Sequence, residues 1–369
     1  MSLDLKNLIK KEYGFNVIDL DKFKGYENDN YFVKTDKDKL ILKLYSDLSL
    51  NLILKAENDF LLFLQKKDKK EYYPKPIPLK NGEYVKQLIH QGKKILIRML
   101  SYLEGDFIAE CKINNNIISS LGSFLANFNL LTRNWNNSDV KAREWEWKIE
   151  CIELIKNRAN YISDPFLRNR VIYFIQQYEE NIVPLYDHLR KSIIHNDANH
   201  WNVIVEKDKI NGLIDFGDIS YSNLVNEVAI AMTYIAYNKE DVLYWTGILL
   251  ESYNKVLPLK MKEVESLYYI IALRLCMSLS NSAFTKLNQP NNDYVSEGNE
   301  NAWNLLDKWF LLGPIKVTNY YLKMTGFSIK KQMKEKKYIE KRQKYLSKIL
   351  SLSYKSPIVM GQSAFQYMY

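Results

Sequence analysis

The stretch Ile194-His195-Asn196-Asp197-Ala198-Asn199-His200-Trp201-Asn202 gathers acidic, amide and imidazole side chains along one short run, and Val203-Ile204-Val205 follows. Thirteen residues beyond Asn202 comes Leu213-Ile214-Asp215-Phe216-Gly217-Asp218. Two apolar runs thus flank a polar turn at Lys207-Asp208-Lys209, the pattern of a β-hairpin. Such a hairpin places Asn202, at the start of one strand, beside Asp215, at the end of the other. Asp197 then sits on the loop leading in, and three oxygen-bearing side chains meet at one edge. Hard Mg²⁺ ions take oxygen ligands and share them with substrate phosphates. In phosphoryl transfer the protein mainly positions groups and neutralises charge. Asn202 and Asp215 suit the metal in that division. Asp197 suits the acceptor hydroxyl, whose proton it takes or orients. His195 is expected to support the loop rather than enter the chemistry. Taken singly, Asp197 and Asn199 would cap a turn and Asp215 would end a strand; order and spacing together point to chemistry.

Such a site needs a second wall that carries positive charge. Lys43 lies in Leu40-Ile41-Leu42-Lys43-Leu44-Tyr45, an otherwise apolar strand pattern. Either it snorkels from an edge, or it is buried and needs an anion. Glu57, which opens the next helical run, is the candidate partner, although glutamate there also suits a helix dipole. Asn30–Lys34 and Leu40–Tyr45 read as a hairpin, Ala56–Leu64 as a helix, and Glu83–Ile89 and Lys94–Met99 as two further strands. Beyond Gly105 the pattern turns helical over Ile117–Phe128, Glu144–Asn157 and Asp164–Tyr178. The strand-rich island Ser192–Asp218 interrupts it, and helix returns from Leu224 to Trp309. Strands with one helix, a short connection, then a helical region holding a hairpin: this order predicts an α+β chain.

Composition narrows the class. The length suits one large domain or two modest ones. Cys111, Cys151 and Cys276 lie far apart and form neither a metal-ligand spacing nor a disulfide framework, which points to a reducing cytoplasm. Residues Met1 to Lys11 have no apolar signal core, and no apolar run is expected to span a bilayer. The net charge is +9. Between Ile315 and Ile349 stand eleven Lys or Arg against two Glu, so the surplus sits in a basic helical tail and the rest is near neutral. Such a tail reads as a solvated face or linker rather than a nucleic-acid site.

The pattern His-x-Asp-x-x-x-x-Asn followed by Asp-Phe-Gly resembles the catalytic and metal loops of the protein-kinase-like superfamily. Its continuation into Asp218 resembles the aminoglycoside phosphotransferase and choline kinase group. Asn196 stands where protein kinases carry Arg, and no Ala-Pro-Glu segment follows; both favour a small-molecule acceptor. The resemblance implies a bilobal protein-kinase-like fold. An antiparallel nucleotide-binding lobe would occupy residues 1–99, and a mainly helical catalytic and substrate lobe 100–313. It further implies ATP or GTP as donor, with Lys43 on the phosphates and Glu57 as its helix partner. Gly25–Phe32, with Asn28 and Asn30, would form the turn over the phosphates, and the backbone from Met99 to Tyr102 would meet the purine edge. Leu121–Phe128, Trp145, Trp147 and Leu257–Ser282 are most similar to hydroxylysine-kinase-like members.

The acceptor is expected to be a hydroxylated amine: a hydroxylysine-like, ethanolamine-like or homoserine-like molecule, with an aminoglycoside as the alternative. A cation wants carboxylates and an aromatic face, which makes Asp218, Glu227, Trp201 and Tyr221 candidates. Arg274 is the candidate for an acceptor carboxylate. Residues 314–369 resemble the opening of a class III aminotransferase-like phospholyase, such as some kinase domains of this group are fused to. A phospholyase domain or neighbouring gene product is thus the expected protein partner, and no pyridoxal phosphate is expected on this chain. The competing readings are a protein kinase, a non-catalytic nucleotide-binding module and a basic nucleic-acid-binding protein.

Overall fold

The computed structural model of the chain describes residues 2–23, 28–288 and 299–328. The N-terminal lobe opens on helix α1 (Ser2–Glu12), followed by strands β1 (Val17–Phe23), β2 (Asp29–Thr35) and β3 (Lys39–Tyr45). Helix α2 (Asn51–Lys67) and strands β4 (Pro76–Ile77), β5 (Lys86–His90) and β6 (Lys93–Ser101) complete it. The sheet is antiparallel, in the order β1-β2-β3-β6-β4, with β5 also on β6. Alternation along the strands sorts its two faces. Tyr31, Val33, Leu40, Leu42, Leu44, Ile95, Ile97 and Met99 pack with Leu5, Ile9 and Tyr13 of the α1 region. Lys43 and Arg98, directly opposite each other on β3 and β6, therefore project from the other face.

The C-terminal lobe contains β7 (Asp106–Phe107) and helices α3 (Asn115–Thr132), α4 (Ser138–Ala142), α5 (Ile152–Ala159) and α6 (Pro165–Asn181). Next come β8 (Lys191–Ile194), β9 (Val203–Glu206), β10 (Lys209–Leu213) and β11 (Ser220–Asn223). Helices α7 (Val225–Ile235), α8 (Val242–Val256), α9 (Met261–Asn288) and α10 (Asn299–Met324) close the fold. Polar caps start several of them. Asn114 accepts from the N–H groups of Asn116 and Ile117 at α3, and Asp164 precedes Pro165 at α6, each satisfying or removing otherwise orphaned donors. α3 and α8 approach so closely that a Cβ at Gly122 would stand 2.3 Å from the Leu249 carbonyl oxygen.

Several expectations are corrected. The N-terminal lobe holds two helices, since α1 covers the sheet face opposite Lys43. Of Glu144–Asn157 only the part from Ile152 is helical. The expected break at Gly313 is a kink: its φ of 70° interrupts α10, which runs on with Val317, Tyr321 and Leu322 buried. The compact body extends to Thr325. Met261–Leu287 is long and apolar enough to cross a membrane, contrary to the sequence reading, but 78% of its apolar window is buried inside the protein. It is the central helix of the lobe, packed by α5, α6, α7 and α10. The phospholyase-like tail lies outside the described residues from 329 onward, and Gly25–Glu27 of the proposed phosphate turn lie outside them as well.

Candidate active site

The hairpin forms where the pattern placed it. β9 pairs antiparallel with β10, and Lys207 and Asp208 turn the chain with φ of 49° and 60°. Positive φ at both central residues is the geometry that suits the twist of a tight hairpin. The Ile214 N–H donates to the Asn202 carbonyl at 2.9 Å, which fixes Asp215 beside Asn202. Asn196 (φ 69°) and Asp215 (φ 62°) both hold left-handed backbone. Non-glycine residues rarely do so unless their surroundings over-determine it.

Those surroundings are visible. His195 is fully buried; its Nε2 donates to the Ile214 carbonyl at 2.9 Å, and its Nδ1 accepts from the Asp197 N–H at 3.3 Å. One imidazole thus ties the loop to the strand that delivers Asp215. Burial lowers its pKa to about 4, so the ring is neutral near pH 7. Glu227, on the first turn of α7, accepts from the His195 N–H at 2.7 Å and from Asn129 Nδ2 at 3.2 Å. Asn196 Nδ2 donates to the Trp147 carbonyl at 3.0 Å.

Asp197 stands at the centre. Its Oδ2 accepts from Asn199 Nδ2 at 2.7 Å and Asn202 Nδ2 at 2.8 Å, and its Oδ1 from Arg274 Nη2 at 2.8 Å. Burial pushes this carboxyl up, against the pull of Arg274 and the two amides. Across the cleft, Lys43 Nζ lies 3.0 Å from Asp215 Oδ1; the ammonium holds the Asp215 carboxyl below its ordinary range. Asp218 accepts from Trp145 Nε1 at 2.5 Å. Its pKa is raised to about 8, first by burial and then by the nearby charge of Asp197. Arg143 donates to the Gly217 carbonyl at 2.6 Å and stacks over Trp145.

The donor set fits a divalent cation shared with phosphates. Asn202 uses its amide nitrogen on Asp197, which leaves its carbonyl oxygen available. The Asp215 side chain is half-exposed, with one oxygen on Lys43. Two protein oxygens plus phosphate and water is the way Mg²⁺ is usually held in such sites. Among the described residues no cluster of three His, Cys, Asp or Glu forms a self-sufficient cage.

Five sequence assignments need revision. Glu57 pairs with Arg98, at 2.6 Å, and both side chains are about 98% buried; Lys43 pairs with Asp215 instead. Arg98 also donates to the Tyr45 hydroxyl, and its longer planar fork reaches Glu57 from the strand next to Lys43. Glu227 is fully buried against the backbone of the loop that opens at His195 and supports it, rather than facing an acceptor. Arg274 is buried and spent on Asp197 and the Tyr234 hydroxyl, so it offers no free fork to an acceptor carboxylate. Met99 is paired in the sheet with Leu42 and Ile77. The Tyr102 N–H donates to the Lys39 carbonyl, so that donor is not free for a purine. Of the remaining candidates, Trp201 is 48% exposed beside Phe107 and His200, Asn28 is half-buried, and Asn30 lies opposite Lys43 on β2 with its buried Oδ1 unpaired.

The sequence reading missed Arg274's bond to Asp197, and the Arg143 and Trp145 contacts to the Asp-Phe-Gly-Asp turn. Arg274 is a lone cation within the apolar face of α9. The rule applied to Lys43, that a buried cation needs an anion, marks Arg274 as needing a partner but does not name Asp197.

Comparison with known proteins agrees with this geometry. The phosphotransferase enzyme family matches residues 22–250. Hydroxylysine kinase of Xenopus laevis is 25% identical over 323 residues, covering 80% of this chain and 86% of that protein. Homoserine kinase of Agrobacterium fabrum is 27% identical over 251 residues, 66% of this chain and 72% of that protein. In fold, the chain superimposes on an amicoumacin kinase, solved with AMP-PNP, Ca²⁺ and amicoumacin, with a TM-score of 0.63 at 18% identity, covering 89% of this chain and 95% of that one. A microcompartment-associated aminopropanol kinase gives 0.60 at 16% identity, covering 89% and 99%. With the paired loops, the two-lobed fold and the family match in agreement, this chain belongs to the phosphotransferase enzyme family and is a kinase that acts on a hydroxyl group.

Proposed function

We propose that this chain transfers the γ-phosphoryl group of ATP or GTP to a hydroxyl of an amino alcohol or hydroxy amino acid. Lys43 steadies the donor phosphates, leaving Asp215 when nucleotide enters, and Asn30 lines the same face. Asn202 and Asp215 hold Mg²⁺, which neutralises charge on the phosphates when bound. Asp197 orients the acceptor hydroxyl and receives its proton. The observation that carries this reading is the convergence of Asp197, Asn202, Asp215 and Lys43 at one edge of the cleft. The alternative of a non-catalytic nucleotide-binding module would not need Asp197 held by three side-chain donors.

An acceptor amine is the part of the reading that Asp218 supports. This half-buried carboxyl lies near Asp197, and burial and then the Asp197 charge raise its pKa against the partial pull of Trp145 and Arg274. An ammonium seated against it adds a direct counter-charge, and the exposed ring of Trp201 offers an aromatic face. The hydroxylysine, homoserine and aminopropanol kinases it resembles are named for hydroxylated amines. The test pairs each acceptor with its desamino analogue. Asp218→Asn is expected to raise KM for the amines by about tenfold, the order of one charged contact, and to leave the analogues unchanged. An equal change for both members of each pair would remove Asp218 from acceptor recognition.

A further inference from the structure

Arg274 does not touch the cleft; it touches Asp197. A carboxylate has about four lone-pair sites. Asn199 and Asn202 take the two on Oδ2, and Arg274 takes one on Oδ1. The single remaining site is on Oδ1, the oxygen that Arg274 also holds. The guanidinium is held at both terminal nitrogens and flanked by two aromatic faces, while its buried Nε has no hydrogen-bond partner. Nη2 donates to both Asp197 and the Tyr234 hydroxyl, each at 2.8 Å. Nη1 meets Met277 Sδ at 3.3 Å. The faces of Trp147 and Tyr234 lie 5.2 and 5.5 Å from its central carbon. Trp147 also anchors Asn196 through its carbonyl, so the same residue braces both the catalytic loop and the arginine behind it.

We propose that Arg274 is a positioning residue for phosphoryl transfer: it locks the Asp197 carboxylate so that one lone pair of Oδ1 faces the acceptor hydroxyl. This deepens the reading above and rests on Asp197 as the group that meets the acceptor. The fork holds Asp197 and Tyr234 through Nη2 and meets Met277 through Nη1, and only a group with two terminal nitrogens makes these contacts together. A lysine ammonium reproduces the charge without that geometry. Arginine 274 therefore acts on turnover through Asp197, not on acceptor binding.

The test is a double-mutant cycle on the full chain, with kcat and KM measured per folded molecule and nucleotide affinity measured alongside. Arg274→Lys is expected to lower kcat about tenfold or more, the scale of a sub-ångström to one-ångström misplacement of a reacting group, with nucleotide Kd unchanged. In the Asp197→Asn background the same substitution should change kcat by less than about twofold, because the group it acts through is gone. Tyr234→Phe, which keeps the buried charge paired, reads the same cycle should Arg274→Lys not fold. Equal losses in both backgrounds, or a raised acceptor KM at unchanged kcat, would overturn the proposal while leaving Asp197 in place. Full turnover by Asp197→Asn alone would instead overturn the underlying reading.

Discussion

At the scale of single residues the site is a set of side chains that hold one another in place. Asp197 and Asp215 are the groups proposed to carry the chemistry, and His195 helps to fix where both sit. It bridges the loop and the strand by two bonds from one ring; the bond accepted at Nδ1 requires that nitrogen unprotonated, while the Nε2–H bond to Ile214 survives in either form. In the unfolded chain the imidazole titrates at its ordinary 6.5, and in the fold at about 4. Between those values the unfolded state holds the extra proton. Its contribution to stability is complete above pH 6.5 and declines as the pH falls toward 4, by about 3 kcal/mol in total. Urea unfolding at pH 7 and pH 4.5 should therefore show a larger loss for the native chain than for His195→Gln. Matching losses would mean that His195 does not govern the acid limb. The motif residues were readable because their order and spacing are local. Arg274, Trp145 and Arg143 were not, because their partners lie 77, 73 and 74 residues away and only the packing of α9 and the segment before α5 brings them together.

At the scale of elements, β3, β6 and α2 divide their charges in a way the strand pattern alone does not reveal. Lys43 and Arg98 are cross-strand neighbours, so two cations share one face and two anions, Asp215 and Glu57, answer them. Arg98 takes Glu57 inside the lobe, and Lys43 is left to meet Asp215. The sequence pointed to Lys43 as a buried cation but paired it with the nearest acidic residue on the next helix. The register of β6 against β3, a long-range feature, decides otherwise. The consequence is measurable. Breaking a buried ion pair by removing one partner costs about 3–5 kcal/mol, so Glu57→Gln should destabilise the fold by that order while nucleotide affinity per folded molecule is kept. Replacing both partners, Glu57→Leu with Arg98→Met, should recover most of the stability. A Glu57→Gln chain of native stability with weakened nucleotide binding would return Glu57 to Lys43. The β9–β10 hairpin was legible because turn and alternation are adjacent in sequence. Helix α1 was missed because its charged face hides a short apolar stripe, Leu5 and Ile9, that has meaning only against the sheet.

At the scale of the whole molecule, an aromatic cluster and the Lys43–Asp215 ion pair are among the contacts that join the two lobes. Phe216, in the turn after Asp215, packs among Phe60 of α2, Tyr73, Phe128 of α3 and His195, while Lys43 reaches from β3 to Asp215. Folding therefore delivers the Asp215 carboxylate to the Lys43 ammonium. The change from strand-rich to helix-rich pattern near Gly105 conveyed this bilobal plan, since each lobe is built mostly from local segments. The end of the body was less legible. The boundary expected at residue 313 falls inside α10, which continues because Val317, Tyr321 and Leu322 still bury against the lobe. The basic surplus belongs largely to residues beyond that body, which is why net charge was a poor guide to function. The most direct test of the account is acceptor-dependent phosphoryl transfer from Mg²⁺–ATP or Mg²⁺–GTP by the native chain and by Asp197→Asn, with nucleotide affinity measured on both. The account predicts transfer by the native chain, a loss of about 10²–10⁴-fold in the variant, the range for removing a positioned acid–base group, and equal nucleotide affinity. Comparable turnover in the two, or a folded native chain that binds no nucleotide, would contradict it.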